Sequence, residues 1–396
     1  MPKVLRIINR FNLGGPTYNV AYLSKFMAPD FETLLVGGDI DENEASSDYI
    51  IQKLGLNPVV IPEMKREING RLDMIAYRKI KTLIHDFKPD IVHTHASKAG
   101  FLGRYAAINS NVPIVVHTFH GHIFHSYFSR YKTYLFKTLE RNLAKKTSAI
   151  IAISNLQLQE LCEEHRIASP EKFRVIPLGF DLERFQDSYN VKRTSFRKEY
   201  NLDDDEIAVS IIGRLVPVKN HTLFLKAFAM AKKRSSVKMR AFIVGDGGLF
   251  DKLTELATQL ELTYTDKNQK QKKTDITFTS WIKDADYVFA GSDIVALTSF
   301  NEGTPVSLIE AQAANKPIVS TKVGGIEDVV VSGKTALLSE NNHLDAFADN
   351  LCLLANNREL REEMSGAGYN YVKNKFHYTR LVSDMKDLYN ELLAQQ

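Results

Sequence analysis

Short apolar runs separated by longer amphipathic segments recur along the chain, and this alternation is the feature that most restricts its fold. In the first half, the runs that predict strands are Val4–Ile8, Thr33–Val36, Asp90–His93, Ile114–Thr118, Ala149–Ile153 and Arg174–Ile176. Helical periodicity lies between them, for example over Thr17–Met27 and Leu72–Phe87. Strands that alternate with helices predict an α/β protein with βαβ units and a mainly parallel sheet.

The same alternation begins again in the second half. The strands predicted there are Ile207–Ile212, Arg240–Val244, Ile276–Phe278, Ile294–Thr298 and Pro317–Ser320. A chain of 396 residues is too long for one ordinary core and suits two domains. We therefore expect two Rossmann-like domains, residues 1–190 and 200–375, joined by the polar segment Phe185–Asp205. A C-terminal amphipathic helix, about residues 376–396, is expected to return to the first domain.

Charge and cysteine content exclude several functional classes. The net charge of +4 is too small to indicate a nucleic-acid-binding protein. The two cysteines, Cys162 and Cys352, are far apart and lack C-x-x-C spacing, which argues against a disulfide framework and favours a reducing compartment. No stretch approaches the roughly 18 apolar residues of a membrane span, and charges interrupt the N-terminal apolar run. We therefore expect a cytoplasmic protein, for which contact with a membrane surface stays open.

A first motif of the second half has the residues needed to hold a diphosphate. Gly213 and Arg214 follow the first predicted strand of that half, and Lys219 comes shortly after them. Fixed cations stabilise a departing diphosphate whose negative charge grows in the transition state, and glycine allows close approach of the backbone. Taken alone, the pair is more often two surface cations, because charged side chains mostly lie in solvent.

A second motif combines a predicted helix start with two carboxylates. Thr304 is a good N-cap, Pro305 suits the first helical position, and Gly303 precedes both. Free amides at such a helix start bind anions. Because carboxylates accept hydrogen bonds from paired hydroxyls, we predict that Glu302 binds the hydroxyls of a sugar and Glu310 those of a ribose. A solvated helix face is an equally frequent explanation of Glu310.

The motifs resemble those of glycosyltransferase family 4, whose members are retaining enzymes with the GT-B fold. Glu302–Glu310 resembles the E-x7-E motif of that family, and Gly213–Lys219 resembles its G-R-L-x4-K motif. Three further segments match in the right order: Val244–Gly247, Val323–Gly325 and Arg174–Phe185. The resemblance covers nearly the whole chain and implies two domains that face each other across a cleft. It also implies a nucleoside diphosphate sugar, of the UDP type, as co-substrate, with neither metal nor other cofactor required.

The resemblance implies roles for single residues as well. Gly15 lies in a glycine-rich first loop that meets the donor across the cleft, and His120 matches a T-x-H-G histidine that contacts the donor sugar. Gly245 belongs to the donor loops, and Trp281 lies near the expected base pocket. The residues expected to carry catalysis are His120, Arg214, Lys219 and Glu302.

A cluster of histidines and two D-x-D sequences are residue types that can bind metal ions, so a metal site is considered as an alternative. Six histidines crowd into one stretch: His93, His95, His117, His120, His122 and His125. Their spacing differs from H-x-x-x-H on a helix, and no acidic ligand is near, so we predict no metal site. The D-x-D spellings at Asp203–Asp205 and Asp284–Asp286 are predicted to be solvated or capping groups.

The expected acceptor is a glycan or a polyprenyl-diphosphate-linked sugar, because His95–Arg104 and Thr118–His125 resemble bacterial enzymes that use such carriers. The segment Tyr127–Lys146 is rich in cations and aromatic residues. A basic amphipathic helix of this kind can lie on an anionic membrane surface, here the inner leaflet. A core helix with a solvated basic face fits the pattern about equally well, and the resemblance favours membrane contact.

Three other functions remain to be compared with a hexose or N-acetylhexosamine transferase. A GT-B sugar-nucleotide epimerase would need inward-facing acid and base carboxylates, and no clear set is present. A catalytically silent sugar-nucleotide binding protein would have no need to keep the cations and both glutamates together. A dehydrogenase is disfavoured because Gly245–Gly247 lacks the third glycine of G-x-G-x-x-G and does not follow the first strand.

Overall fold

A computed structural model describes residues 1–12, 14–40, 46–65, 67–121 and 130–396 of the chain. These residues form two compact units, Met1–Phe180 together with Phe376–Gln396, and Asp181–Lys375. Within the described residues each unit has one seven-stranded sheet, and all neighbouring strands of both sheets are parallel. The predicted α/β class with two Rossmann-like domains is confirmed.

The first unit has the strand order β3-β2-β1-β4-β5-β6-β7. Its strands are β1 Lys3–Arg10, β2 Glu32–Gly38, β3 Val59–Val60, β4 Ile91–His95, β5 Ile114–Phe119, β6 Ala149–Ala152 and β7 Phe173–Val175. Its helices up to that point are α1 Gly15–Phe26, α2 Asp48–Lys53, α3 Gly70–Phe87, α4 Ser97–Asn109, α5 Arg130–Lys145 and α6 Asn155–Gln159.

The second unit has the strand order β10-β11-β9-β8-β12-β13-β14. Its strands are β8 Ile207–Ile212, β9 Met239–Val244, β10 Tyr264–Asp266, β11 Ile276–Ser280, β12 Ile294–Leu297, β13 Ile318–Thr321 and β14 Ala336–Ser339. Its helices are α7 Tyr189–Glu199, α8 His221–Arg234, α9 Phe250–Gln259, α10 Ala285–Gly291, α11 Val306–Ala313, α12 Ile326–Val329, α13 Leu344–Asn356 and α14 Arg358–Phe376. The last helix of the chain, α15 Tyr378–Ala394, belongs to the first unit.

Most strand residues are buried because helices cover both faces of each sheet. Every residue of β4, β5 and β9 is buried. Polar residues such as His93 and Thr94 occur inside β4 all the same, and they find partners on neighbouring elements.

Each sheet has one point where the chain reverses its direction of progress. In the first sheet this point lies between β1 and β4, and in the second it lies between β8 and β12. The loops that leave two such strands diverge to opposite faces and form a crevice at the carboxyl ends of the strands, where open α/β sheets bind ligands. The topology alone therefore directs attention to the loops after β8 and β12.

The segment Phe185–Asp205, predicted to connect the domains, is instead part of the second unit, which begins at Asp181. It contains α7, whose Phe196 is fully buried against Phe242 and Tyr287. The prediction of a connecting segment was wrong because α7 buries few of its residues, so its mostly polar sequence resembles that of a solvated linker.

The helix α15 packs on α1 in the first unit, as predicted, and buries Leu381, Met385 and Tyr389 in the core beneath β1 and β5. Among the described residues, no helix combines the length and the apolar character that crossing a membrane requires.

Candidate active site

Loops from five strands lie at the carboxyl edge of the second sheet, and those after β8 and β9 are held together by main-chain contacts. The Gly213 amide donates to the Val244 carbonyl at 3.0 Å, and the Leu215 amide donates to the Asp246 carbonyl at 2.9 Å. Gly245 has a φ of +146°, and a Cβ atom there would lie 2.0 Å from the Gly213 carbonyl oxygen. Only glycine fits at that position, so the loops after β8 and β9 pack directly against each other and form one continuous surface at this edge.

Lys219 and Glu302 join the loops after β8 and β12 across the reversal point of the sheet. The Lys219 ammonium lies 2.5 Å from Glu302 Oε1, and the Ser299 hydroxyl donates to the same oxygen at 2.5 Å. The Thr298 hydroxyl donates to the Lys219 carbonyl at 3.1 Å, which fixes the main chain as well. The structure thus brings together the two residues that the sequence assigned to the diphosphate and to the sugar.

Arg214 lies on the same loop as Lys219 but is exposed. No carboxylate among the described residues pairs with it. Lys219 is different, because its charge is already engaged by Glu302. An anion bound at this edge would meet Arg214 directly and would compete with Glu302 for Lys219.

The loop that carries Glu302 and Gly303 rests on the glycine pair after β13. The Gly325 amide donates to the Glu302 carbonyl at 2.8 Å. A Cβ atom on Gly325 would lie 1.8 Å from the Gly303 carbonyl oxygen, and Gly324 has a φ of +50°. The two glycines are therefore required for this close approach of two main chains.

The helix after this loop begins one residue later than predicted. Pro305, not Thr304, is the N-cap, and Val306 is the first residue of α11. Pro305 has a ψ of 94°, an extended value typical of an N-cap, since the proline ring restricts φ but leaves ψ free. The prediction of Thr304 as a capping side chain was wrong, because no side chain caps this helix. The free amides of its first turn still face the carboxyl edge of the sheet.

Glu310 is buried inside α11 and forms an ion pair with Arg184 at 2.9 Å. Burial raises the pKa of the Glu310 carboxyl, and the Arg184 guanidinium opposes that rise. The alternative of a solvated helix face is thereby excluded. Arg184 was not assigned a role from the sequence, although it lies in the matched segment Arg174–Phe185, because its partner is 126 positions away.

Trp281 follows β11, two strands away from β8 in the sheet, and is 41% exposed. Ser280 before it has a φ of +62°, and its hydroxyl donates to the Asp246 carboxylate. The Gly245 amide donates to the Ser280 carbonyl at 3.2 Å, which joins the loop after β11 to the loop after β9. An indole in this position can stack on a planar ring.

In the first unit, Gly15 and His120 both lie at the carboxyl edge of the sheet. Gly15 is the first residue of α1 after β1, and His120 follows β5 directly. His120 Nε2 lies 3.0 Å from His95 Nδ1, and burial lowers the pKa of His120 to about 3. His122 and His125, which belonged to the same predicted cluster, lie outside the described residues.

Within the part of the chain that the structure describes, no group of three His, Cys, Asp or Glu side chains could hold a metal ion. One carboxylate of each D-x-D sequence forms a close ion pair with a lysine, since Asp286 pairs with Lys192 at 2.7 Å and Asp203 with Lys273 at 2.5 Å.

Comparison with known proteins gives matches over both units. The family model described as glycosyl transferases group 1 matches residues 192–371, and that of glycosyltransferase family 4 matches residues 14–184. The UDP-Gal:alpha-D-GlcNAc-diphosphoundecaprenol alpha-1,3-galactosyltransferase of Escherichia coli is 32% identical over 338 residues, which are 85% of this chain and 84% of that enzyme. The capsular polysaccharide biosynthesis glycosyltransferase CapM of Staphylococcus aureus is 26% identical over 341 residues, 85% of each chain.

Solved structures show the same fold at lower identity. A glycosyltransferase from Rickettsia africae ESF-5 superposes with a TM-score of 0.80 at 19% identity and covers 100% of this chain and 99% of its own. Anabaena Alr3699/HepE, solved in complex with UDP, has a TM-score of 0.80 at 18% identity and covers 98% of this chain and 100% of its own. At such identities the likeness concerns the fold.

Proposed function

The chain belongs to glycosyltransferase family 4, and on that basis we propose that it is a retaining hexosyltransferase with a UDP-sugar donor. The observation that carries this proposal is the Lys219–Glu302 pair at the carboxyl edge of the second sheet, beside Gly213 and the start of α11. A cation, a carboxylate and free helix amides in one place suit a ligand that is anionic at one end and hydroxylated at the other.

The diphosphate is assigned to Arg214, Lys219 and the amides of the loop 303–306. When the bond between the sugar and the diphosphate breaks, negative charge grows on the departing oxygen. Cations and amides already aimed at that oxygen stabilise the transition state more than the ground state. When Lys219 turns to the phosphates, Glu302 Oε1 loses one of its two donors and can accept a sugar hydroxyl in exchange.

The nucleoside is assigned to Glu310 and Trp281. Arg184 occupies Oε1 of Glu310, and a carboxylate has acceptor positions beyond that one bond for the ribose hydroxyls. The half-exposed indole of Trp281 offers a stacking face for the base. Complexes of Anabaena HepE with UDP and with UDP-glucose support a uridine nucleotide as the donor class.

The transfer itself follows the front-face mechanism of the family. The acceptor hydroxyl attacks the anomeric carbon from the side that the diphosphate leaves, so that one carbon–oxygen bond forms as the other breaks. The hydroxyl proton passes to an oxygen of the departing diphosphate, and no side chain acts as nucleophile. Gly15 and His120 of the first unit are assigned to the donor sugar, and exclusion of water protects the donor from hydrolysis.

The acceptor proposed is a sugar carried on a polyprenyl diphosphate. The Escherichia coli relative, by its name, transfers galactose from UDP-galactose to GlcNAc-diphosphoundecaprenol. Such an acceptor is anchored in a membrane, and a protein surface that binds the membrane would favour its capture. The helix α5 supplies a candidate surface, since Tyr131, Tyr134 and Leu135 are exposed on it.

The test is to incubate the purified chain with a UDP-sugar, first UDP-galactose, and GlcNAc-diphosphoundecaprenol. We expect release of UDP that depends on the acceptor, and a product with the anomeric configuration of the donor by NMR. Lys219→Ala is expected to lower kcat by about 100-fold or more, the usual cost of losing a transition-state donor. Lys226→Ala, an exposed lysine on α8, is the matched control.

Two outcomes would favour the rival functions. Conversion of the UDP-sugar to its epimer without acceptor would indicate the epimerase. Thermal stabilisation by UDP without turnover on any of a panel of UDP- and GDP-sugars and acceptors would indicate the silent binding protein.

A further inference from the structure

A buried polar network lies below the carboxyl edge of the first sheet. We call it the histidine network, and its members are Arg6, His93, His95, His120 and Tyr389. Arg6, His93, His95 and Tyr389 have no measurable exposure. The network runs from α15 through β1 and β4 to His120 at the end of β5.

Arg6 is the unusual member because its buried charge has no carboxylate partner among the described residues. Its guanidinium contacts His93 Nδ1 at 3.0 Å, His95 Nε2 at 3.4 Å and Met27 Sδ at 3.4 Å. Burying a cation with only neutral partners costs free energy that packing alone would avoid. A local violation of this kind is typical of a functional site.

The guanidinium decides where the protons of the neighbouring rings lie. It can only donate hydrogen bonds, so each ring nitrogen that faces it must accept. His93 Nδ1 therefore accepts, and His93 Nε2 carries a proton that it donates to the Thr118 hydroxyl at 2.7 Å. His95 Nε2 likewise accepts, and His95 Nδ1 carries the proton.

The tautomer of His120 is determined in turn by its contact with His95. His95 Nδ1 donates to His120 Nε2 at 3.0 Å, so that nitrogen accepts and His120 Nδ1 holds the proton. His120 Nδ1 is buried and has no hydrogen-bond partner within the described residues. Burial lowers the pKa of His120 to about 3 and that of His93 and His95 well below the ordinary value, so all three rings are neutral near pH 7.

We propose that Arg6 and His95 are positioning residues that fix His120 in the tautomer with its proton on Nδ1. His120 then donates a hydrogen bond to a hydroxyl oxygen of the donor sugar and cannot remove a proton through that nitrogen. The contact with the donor rests on the proposed function, whereas the tautomer rests on the network alone. An unpartnered buried donor is costly, and a sugar hydroxyl removes that cost when it binds.

The tautomer can be read directly from the full-length protein labelled with 15N-histidine. Two-bond proton–nitrogen correlation spectra separate a protonated ring nitrogen from an unprotonated one, and the resonances of His120 are those that disappear in His120→Asn. We expect Nδ1 of His120 to be protonated in the unchanged protein. A proton on Nε2 would overturn the proposal.

The variant that separates Arg6 from His120 is His95→Phe, because phenylalanine keeps a ring at this position and lacks both ring nitrogens that contact them. We expect His120 to become a mixture of tautomers and kcat/KM to fall about tenfold, the value of roughly one hydrogen bond. His117→Asn is the matched control, because His117 is a buried histidine of β5 that bonds to Thr94 outside the network. An unchanged His120 spectrum in His95→Phe would contradict the proposal.

Arg6→Met gives a second route if His95→Phe does not fold, since it replaces a buried cation by an apolar side chain of similar length. We expect the same mixture at His120, with the fold kept. The proposed transferase function and the proposed tautomer of His120 can each be disproved without the other. The Nδ1 tautomer in a chain without transferase activity would overturn the proposed function alone, whereas full activity with an Nε2 proton would overturn the network alone.

Discussion

Lys316 illustrates how far the environment of a single residue can change its chemistry. Its side chain is 5% exposed, and its ammonium donates to the Tyr189 hydroxyl at 2.6 Å. Burial lowers the pKa of Lys316 from 10.5 to about 7, although the nearby Asp293 carboxylate opposes this change. The residue lies between α11 and β13, at the amino end of that strand.

This shift predicts how stability depends on pH. Between pH 7 and 10.5 the unfolded chain holds a proton on Lys316 that the folded chain lacks, so the free energy of unfolding rises with pH. Burial of the charged Lys316 destabilises the protein fully below about pH 7, the pKa of Lys316 in the folded chain. This cost is lost as the pH rises towards 10.5, the pKa of the lysine in the unfolded chain. Lys316→Met should raise the free energy of unfolding at neutral pH and flatten this rise. Urea denaturation of both proteins at about pH 7 and pH 9 measures it; parallel pH curves would contradict the assignment.

Single residues also show what the sequence could and could not predict about the site. Spacing and resemblance were sufficient to select Lys219 and Glu302, which the structure places 2.5 Å apart. The partner of Glu310 could not be predicted in that way, because Arg184 is distant in sequence and ordinary in type. The histidine network was likewise hidden, since it depends on which ring nitrogen faces Arg6.

At the scale of elements, the loop after β12 depends on the loop after β13 for its shape. Gly325→Ala should displace Gly303 and Glu302, because the added Cβ would lie 1.8 Å from the Gly303 carbonyl oxygen. We expect UDP affinity to fall at least about tenfold with a small loss of stability, which a thermal-shift titration separates. Gly366→Ala, at an open position of α14, is the matched control and should bind UDP normally. Normal binding by Gly325→Ala would show that the contact is not needed.

The helix α5 gives a second prediction at this scale. It combines basic residues with exposed Tyr131, Tyr134 and Leu135, which are 79%, 67% and 46% exposed. Changing these three to serine should reduce binding to vesicles that contain phosphatidylglycerol and leave the melting temperature nearly unchanged. Val191→Ser, an equally exposed apolar position on α7, serves as the control. Equal sedimentation of all three proteins with vesicles would exclude α5 as the membrane contact.

Strong periodicity made most elements predictable, and the exceptions have a physical cause. The buried strands β8, β9 and β12 were found because a covered parallel strand is mostly apolar, and each of these three has at most one polar residue. The helix α7 was missed because most of its residues are polar and the apolar surface that completes it comes from α10. The start of α11 was placed one residue early because Pro305, a residue type favoured at the first helical position, has an extended backbone here and is the N-cap.

At the scale of the whole molecule, the repeated strand–helix pattern predicted two Rossmann-like units, but no local signal marked the change of unit at Phe180. The return of α15 to the first unit gives the test at this scale. Deletion of residues 378–396 would remove Leu381, Met385 and Leu388. It would expose the core residues that cluster with them, such as Val4 and Ile114, and should destabilise the first unit alone. Limited proteolysis should then cleave within residues 1–180 and leave a fragment near 181–375 that UDP protects. Equal cleavage of both units would contradict the division.

This discontinuous first unit has a consequence for biosynthesis. The ribosome makes β1 to β7 first, then the entire second unit, and only afterwards the helix that seals the N-terminal core. At about 5–20 residues per second, the nascent first half waits roughly 10–40 s with an open hydrophobic face. Such a face is a binding surface for chaperones during that interval, and a product that ends before α15 keeps it exposed.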